Sequence, residues 1–115
     1  MNTKENLVNV LTNTQNILNN YYEENKYNLI PIDTFCAISR NRVLLNVIEK
    51  YPFLSQSKRK EHVKGLFTAR TELEGGFSEP WFGNAKSFPV LLANHIPESD
   101  IENLSNLIDR YCSEV

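Results

Sequence analysis

Apolar residues recurring at steps of three and four, in five stretches cut apart by proline and glycine, constrain this chain more than any other feature. From Thr3 to about Asn25, Leu7, Val10, Leu11, Ile17, Leu18, Tyr21 and Tyr22 keep that step, and Asn, Thr and Gln fill most positions between. Such spacing predicts an amphipathic helix with one solvated face. Thr3 serves as its N-cap, and Glu5 suits the positive end of the helix dipole. Tyr27 to Ile32 reads as a connection, because Pro31 disfavours helical backbone in the residue before it.

Asp33 is expected to cap a second helix to about Lys50. Phe35, Ile38, Leu45 and Ile48 lie on one side, and Val43, Leu44 and Val47 broaden the apolar surface. So wide a surface predicts that this helix is central, and Pro52 ends it. Ser55 or Ser57 starts a third helix through Val63, Leu66, Phe67 and Leu73, with Gly75-Gly76 as its stop. Phe77 to Lys86 is irregular by its Pro80 and Gly83. A short fourth helix is predicted from Ser87 to about Asn94, with Pro89 in the first turn, where a missing N–H does no harm. Pro97 separates it from a fifth, where Ser99-Asp100-Ile101-Glu102 has the form of a capping box and Ile101, Leu104, Ile108 and Tyr111 carry the buried stripe.

No stretch reads as a strand, and no repeat or linker divides the chain. The expected fold is all-α, a compact single-domain bundle of four to five helices over residues 1–115. A length of 115 residues is enough for one core without staples. Only 4 Gly and 5 Pro argue against a turn-rich β-sandwich. The longest apolar run, Phe88 to Ala93, is too short to span a bilayer. The N-terminus lacks the charged and apolar regions of a secretory signal. Cys36 and Cys112 make no disulfide framework, so free buried thiols in a reducing cytoplasm are the default, with one disulfide left open.

Charge is placed unevenly. Residues 1–54 balance, residues 55–70 carry +4 through Lys58, Arg59, Lys60, Lys64 and Arg70 against Glu61, and residues 71–115 carry −6. In that acidic third, Glu98, Asp100 and Glu102 have a sufficient explanation at a helix N-terminus. Glu72, Glu74 and Glu79 differ, because they border Phe77, Trp81 and Phe82 around the Gly75-Gly76 break. Aromatics give contact area at low entropic cost, and carboxylates select basic partners. The competing reading makes Trp81 and Phe82 a lid on one end of the core.

Catalytic readings find less support. His62, His95, Cys36 and Cys112 lack the close pairs of a zinc site, and a Cys–His dyad has no supporting spacing. His62 and His95 could act as the acid and base of a metal-independent RNase. Arg59, three positions before His62, does not fit the Arg-to-His spacing of helical RNases of the HEPN type. No phosphate-binding loop, dinucleotide fingerprint, nucleophile elbow or zinc-protease motif occurs. The chain is therefore expected to be no enzyme and to need no cofactor or metal. Lys58-Arg59-Lys60 with Lys64 could instead form a basic helix of a small nucleic-acid-binding regulator. Against that stand the absence of a tight turn before the segment and a sequence pI near 5.7.

The run Glu72-Leu73-Glu74-Gly75-Gly76-Phe77-Ser78-Glu79-Pro80-Trp81-Phe82, with the acidic C-terminal helix, resembles bacterial immunity proteins. The similarity is to those paired with contact-dependent growth inhibition toxins and nuclease bacteriocins. It is one of type, spread over the whole chain, and no single motif carries it. The resemblance implies a cytoplasmic, stoichiometric inhibitor that is monomeric when free and binds a basic toxin nuclease domain, a tRNase as the leading case. It also implies partner-binding roles for Glu72, Glu74, Phe77, Glu79, Trp81 and Phe82, with no membrane contact and no nucleic acid bound.

Overall fold

A computed structural model of the chain describes residues 2–51, 53–69 and 86–114. Five helices and no strand occur among them, packed as one bundle, so the expected all-α class holds. Helix α1 spans Thr3–Asn25 and α2 spans Ile32–Lys50; α3 covers residues 56–68, α4 spans Phe88–Leu92 and α5 spans Glu98–Ser113.

Helix α1 is capped one residue before the expected position. The side chain of Asn2 accepts the Glu5 backbone N–H at 2.8 Å, leaving Thr3 as the first helical residue and buried. Its buried stripe is Thr3, Leu7, Leu11, Thr14 and Leu18, and the Thr14 hydroxyl is satisfied within the helix by donating to the Val10 carbonyl at 2.8 Å. Ile17 and Tyr22, counted as apolar-stripe residues in the sequence, are exposed.

Helix α2 is capped by Pro31 and not by Asp33. Pro31 is extended, and its carbonyl accepts the Thr34 N–H at 3.0 Å. Asp33 in the first turn instead pairs with Lys86. The buried stripe of α2 is Thr34, Ala37, Asn41, Leu44 and Ile48, while Ile32, Phe35 and Val43 are exposed. The stripe predicted from apolarity alone is thus rotated away from the observed one. Polar Thr34 and Asn41 turn inward because each meets a partner there. Asn41 Nδ2 donates to the Leu11 carbonyl and to Gln15 Oε1, both at 2.9 Å, and so pins α2 antiparallel to α1. Helix α2 touches α1, α3 and α4, but its exposed apolar side means that the breadth of its apolar surface did not mark an enclosed central helix.

Ser55 caps α3, accepting the Lys58 N–H at 3.3 Å. The helix widens into a π turn over Lys60–Lys64 before a last α turn over Gly65–Thr68. It stops there because Ala69 is extended; Leu73 and the expected Gly75-Gly76 stop lie outside the described residues. Helix α4 follows Ser87 with its proline in the first turn, as expected. Helix α5 starts at Glu98 after Pro97, and no side chain caps it. Ser99 therefore sits inside the first turn, and the expected capping box is not formed. The carbonyl of extended Pro97 takes its place, accepting the N–H groups of Asp100 and Ile101 at 3.0 and 3.2 Å.

Leu7 and Leu11 of α1, Leu44 and Ile48 of α2, Val63 of α3 and Leu104 and Ile108 of α5 are fully buried in one core. Phe67 and Phe88 close it edge to face, with ring centroids 5.9 Å apart, a favoured aromatic geometry.

Candidate functional site

The expected partner-binding residues Glu72, Glu74, Phe77, Glu79, Trp81 and Phe82 lie outside the described residues. What is described is how the chain is held on either side of them. Arg40 of α2 donates from Nη1 to the Leu66 carbonyl at 2.5 Å and to the Ala69 carbonyl at 3.1 Å. Lys86 is ion-paired to Asp33, seven residues earlier on the same helix. One rigid helix therefore fixes the chain at both Ala69 and Lys86.

The basic segment is turned to structural use. Arg59 donates from Nη1 to the carbonyls of Tyr111 and Glu114, at 3.1 and 2.7 Å, and its guanidinium lies 4.8 Å from the Tyr111 ring centroid. Cations belong at the C-terminal end of a helix, where unpaired carbonyls carry partial negative charge. Lys64 pairs with Asp109 of α5 at 3.0 Å, and Lys58 approaches Glu61 at 3.5 Å. Gln56 Nε2 reaches the Ser113 carbonyl at 2.5 Å. Of the residues expected to form a nucleic-acid face, Arg59 and Lys64 thus hold the C-terminal helix against α3, while Lys58 pairs within α3 and Lys60 is exposed.

The acidic residues of α5 divide in two. Asp109 is taken by Lys64, and Glu114, the residue just past the helix, accepts the Thr3 hydroxyl and so joins the start of α1 to the end of α5. Glu98, Asp100 and Glu102 are exposed and have no ion pair among the described residues. They are spaced two apart, so they spread around the first turn and a half and present a broad negative field.

The candidate catalytic residues are placed apart in character. His95 Nε2 sits 3.1 Å from the Thr34 hydroxyl, and its ring meets Tyr21 edge-on at 4.7 Å. Burial holds its pKa below the usual histidine value, favouring the neutral ring. His62 is exposed on the π turn of α3. Cys112 is buried, its thiol 3.5 Å from the Arg59 carbonyl and pushed up in pKa by burial; Cys36 is only half-buried, against the expectation, and neither is in a disulfide. Among the described residues no three His, Cys, Asp or Glu side chains are grouped to hold a metal ion, and no helix is long and apolar enough to cross a membrane.

Two features escaped the sequence reading. One is the clamp by Arg59, whose partners are carbonyls 52 and 55 residues away and carry no side-chain signature. The other is the exposed apolar face of α2, which the breadth of its apolar pattern had disguised as core. No protein-family model, curated protein or solved structure matches the chain.

Proposed function

We propose that this chain is a cytoplasmic immunity protein that neutralises a toxin by binding its basic nuclease domain, a tRNase as the leading case, and covering the active site. The observation that carries this reading is the segregation of charge. Of the four cations in residues 58–64, Arg59 and Lys64 are engaged by the C-terminal helix and Lys58 pairs with Glu61, while Glu98, Asp100 and Glu102 stay exposed and unpaired among the described residues. A nuclease must attract phosphate with Lys and Arg, so an inhibitor that presents carboxylates is steered to the same surface and competes with the substrate. Glu72, Glu74 and Glu79 extend the acidic set, and Phe77, Trp81 and Phe82 supply anchors that slow release.

The test is a binding experiment with the product of the neighbouring open reading frame, read by stopped-flow kinetics and by tRNA cleavage. A one-to-one complex that abolishes cleavage, and whose association slows steeply with added salt, is the expected outcome. Trp81→Ala should speed dissociation about 30-fold or more if it is a desolvated anchor. No complex with that product, together with a gel shift of nucleic acid by the purified chain, would replace this reading with the nucleic-acid regulator.

A further inference from the structure

Among the described residues, helical geometry departs from α at one place, the π turn over Lys60–Lys64, where the Gly65 N–H bonds to the Lys60 carbonyl five residues back. A turn closed by i→i+5 bonds holds one residue more than an α turn, and such turns are rare. Lys60-Glu61-His62-Val63-Lys64 contains neither proline nor glycine, so nothing local breaks the α pattern. The cause lies in α5. The Cys112 thiol is inserted against the widened ladder, donating to the Arg59 carbonyl at 3.5 Å while its sulfur accepts the Lys64 backbone N–H. Those two main-chain groups are five residues apart, the span of a π bond.

The turn also decides what α3 presents to α5. At 3.6 residues per turn, positions five apart in an α-helix point about 140° away from each other. A π turn brings them to one side. Arg59 and Lys64 therefore both reach α5, at the carbonyls of Tyr111 and Glu114 and at Asp109. C-terminal to the turn α3 is fixed, with Phe67 buried and the Leu66 and Ala69 carbonyls held by Arg40. The N-terminal end meets α5, where Gln56 reaches the Ser113 carbonyl, while Lys58 and Lys60 are exposed.

We propose that α3 is a two-register element set by the last turn of α5. With that turn seated, Cys112 and Arg59 hold the π register. When it lifts, the turn closes to α and the end carrying Gln56 to Arg59 rotates by about 100°, the angle of one residue. Arg59 then leaves its carbonyls for solvent, and Lys60 takes over the side that faced α5. The driving force is the regular i→i+4 bonding that the π turn forgoes, opposed in the seated state by the thiol and guanidinium contacts. A helix end is where local opening costs least, so the input sits at the element best able to move. The output is charge: the seated state engages Arg59, and the lifted state exposes it beside Lys58 and Lys60. The device works whether or not the chain is an immunity protein.

Scalar couplings across hydrogen bonds, measured by NMR on the isotopically labelled full chain, read the register directly. The Gly65 amide should couple to the Lys60 carbonyl in the parent. In the double variant Cys112→Ala with Arg59→Met it should couple to the Glu61 carbonyl, with the amide spectrum of α1 unchanged. Cys112→Ser alone, which keeps a donor and an acceptor in the same place, should retain the coupling to Lys60. Native-state hydrogen exchange of the parent needs no variant. Gly65 and Ser113 should exchange through one opening, with protection within about 10-fold of each other and the same denaturant dependence. A coupling to Lys60 that persists in the folded double variant overturns the proposal. Where the double variant does not fold, exchange decides alone, and Gly65 protected more than about 10-fold above Ser113 overturns it.

Discussion

Replacing Arg59 by methionine keeps most of the side-chain volume and removes the fork that closes α5. Two bonds are lost, to the carbonyls of Tyr111 and Glu114, and their donor is charged. Buried bonds from a charged donor contribute about 1.5–3 kcal/mol each, but the Glu114 carbonyl bond is exposed and belongs at or below the lower end. The contact over the Tyr111 ring adds about 0.5–1 kcal/mol at a partly exposed site. An offset comes from Arg59 Nε, which is buried without a hydrogen-bond partner among the described residues, so its removal returns about 1 kcal/mol or more. The net expectation is a loss of about 2 kcal/mol, or roughly 6–12 °C in Tm for a chain of this size. Arg59→Lys should recover less than half of it, since an ammonium keeps the charge without the planar fork that spans two carbonyls. Thermal and urea melts followed by circular dichroism give both numbers. An Arg59→Met protein within about 0.5 kcal/mol of the parent would refute the clamp and return Arg59 to the set of free surface cations.

Three further outcomes follow from buried polar groups. Burial lowers the folded-state pKa of His95 below its ordinary 6.5, so its stability contribution is intact above that value and is lost as pH falls through it, because the unfolded chain then binds the proton more readily. The loss levels off below the folded-state pKa, and His95→Gln should flatten this part of a stability-versus-pH profile measured by urea melts. Asn41→Ala should cost about 2 kcal/mol through a cavity and the lost bonds to Leu11 and Gln15, whereas Asn41→Leu should lie within about 1 kcal/mol of the parent, because it also removes the unpartnered Oδ1; denaturant midpoints compare them. Native protein treated with a thiol reagent at pH 8 should modify Cys36 well before Cys112, whose thiol is buried and raised in pKa; mass spectrometry of digested peptides reads the order.

The expected site residues lie outside the described residues, and the carboxylates of α5, which the sequence reading explained by the helix dipole, are found exposed. Their exposure follows locally, since acidic residues in a first turn are stabilised by the helix dipole while remaining in water. The role of Arg59 was not legible, because its acceptors are main-chain carbonyls present at every position. Whether it meets them depends on how α3 lies against α5.

Local chemistry determined where this chain is helical. Steps of three and four, with proline at 31, 89 and 97, located the five helices among the described residues, because side-chain spacing and backbone restriction act within a few residues. Cap identities shifted by a residue or two, since Asn2, Pro31 and Pro97 compete with nearby Thr3, Asp33 and Ser99 for the same unpaired groups. The tertiary structure decided which side of each helix faces inward. Helix α2 is apolar on several sides, so hydrophobicity could not choose among them. Packing Ala37, Leu44 and Ile48 into the core carries Asn41 and Thr34 inward with them, where Asn41 Nδ2 and the Thr34 hydroxyl meet Leu11, Gln15 and His95 once water is excluded. The same rotation leaves Phe35 and Val43 exposed.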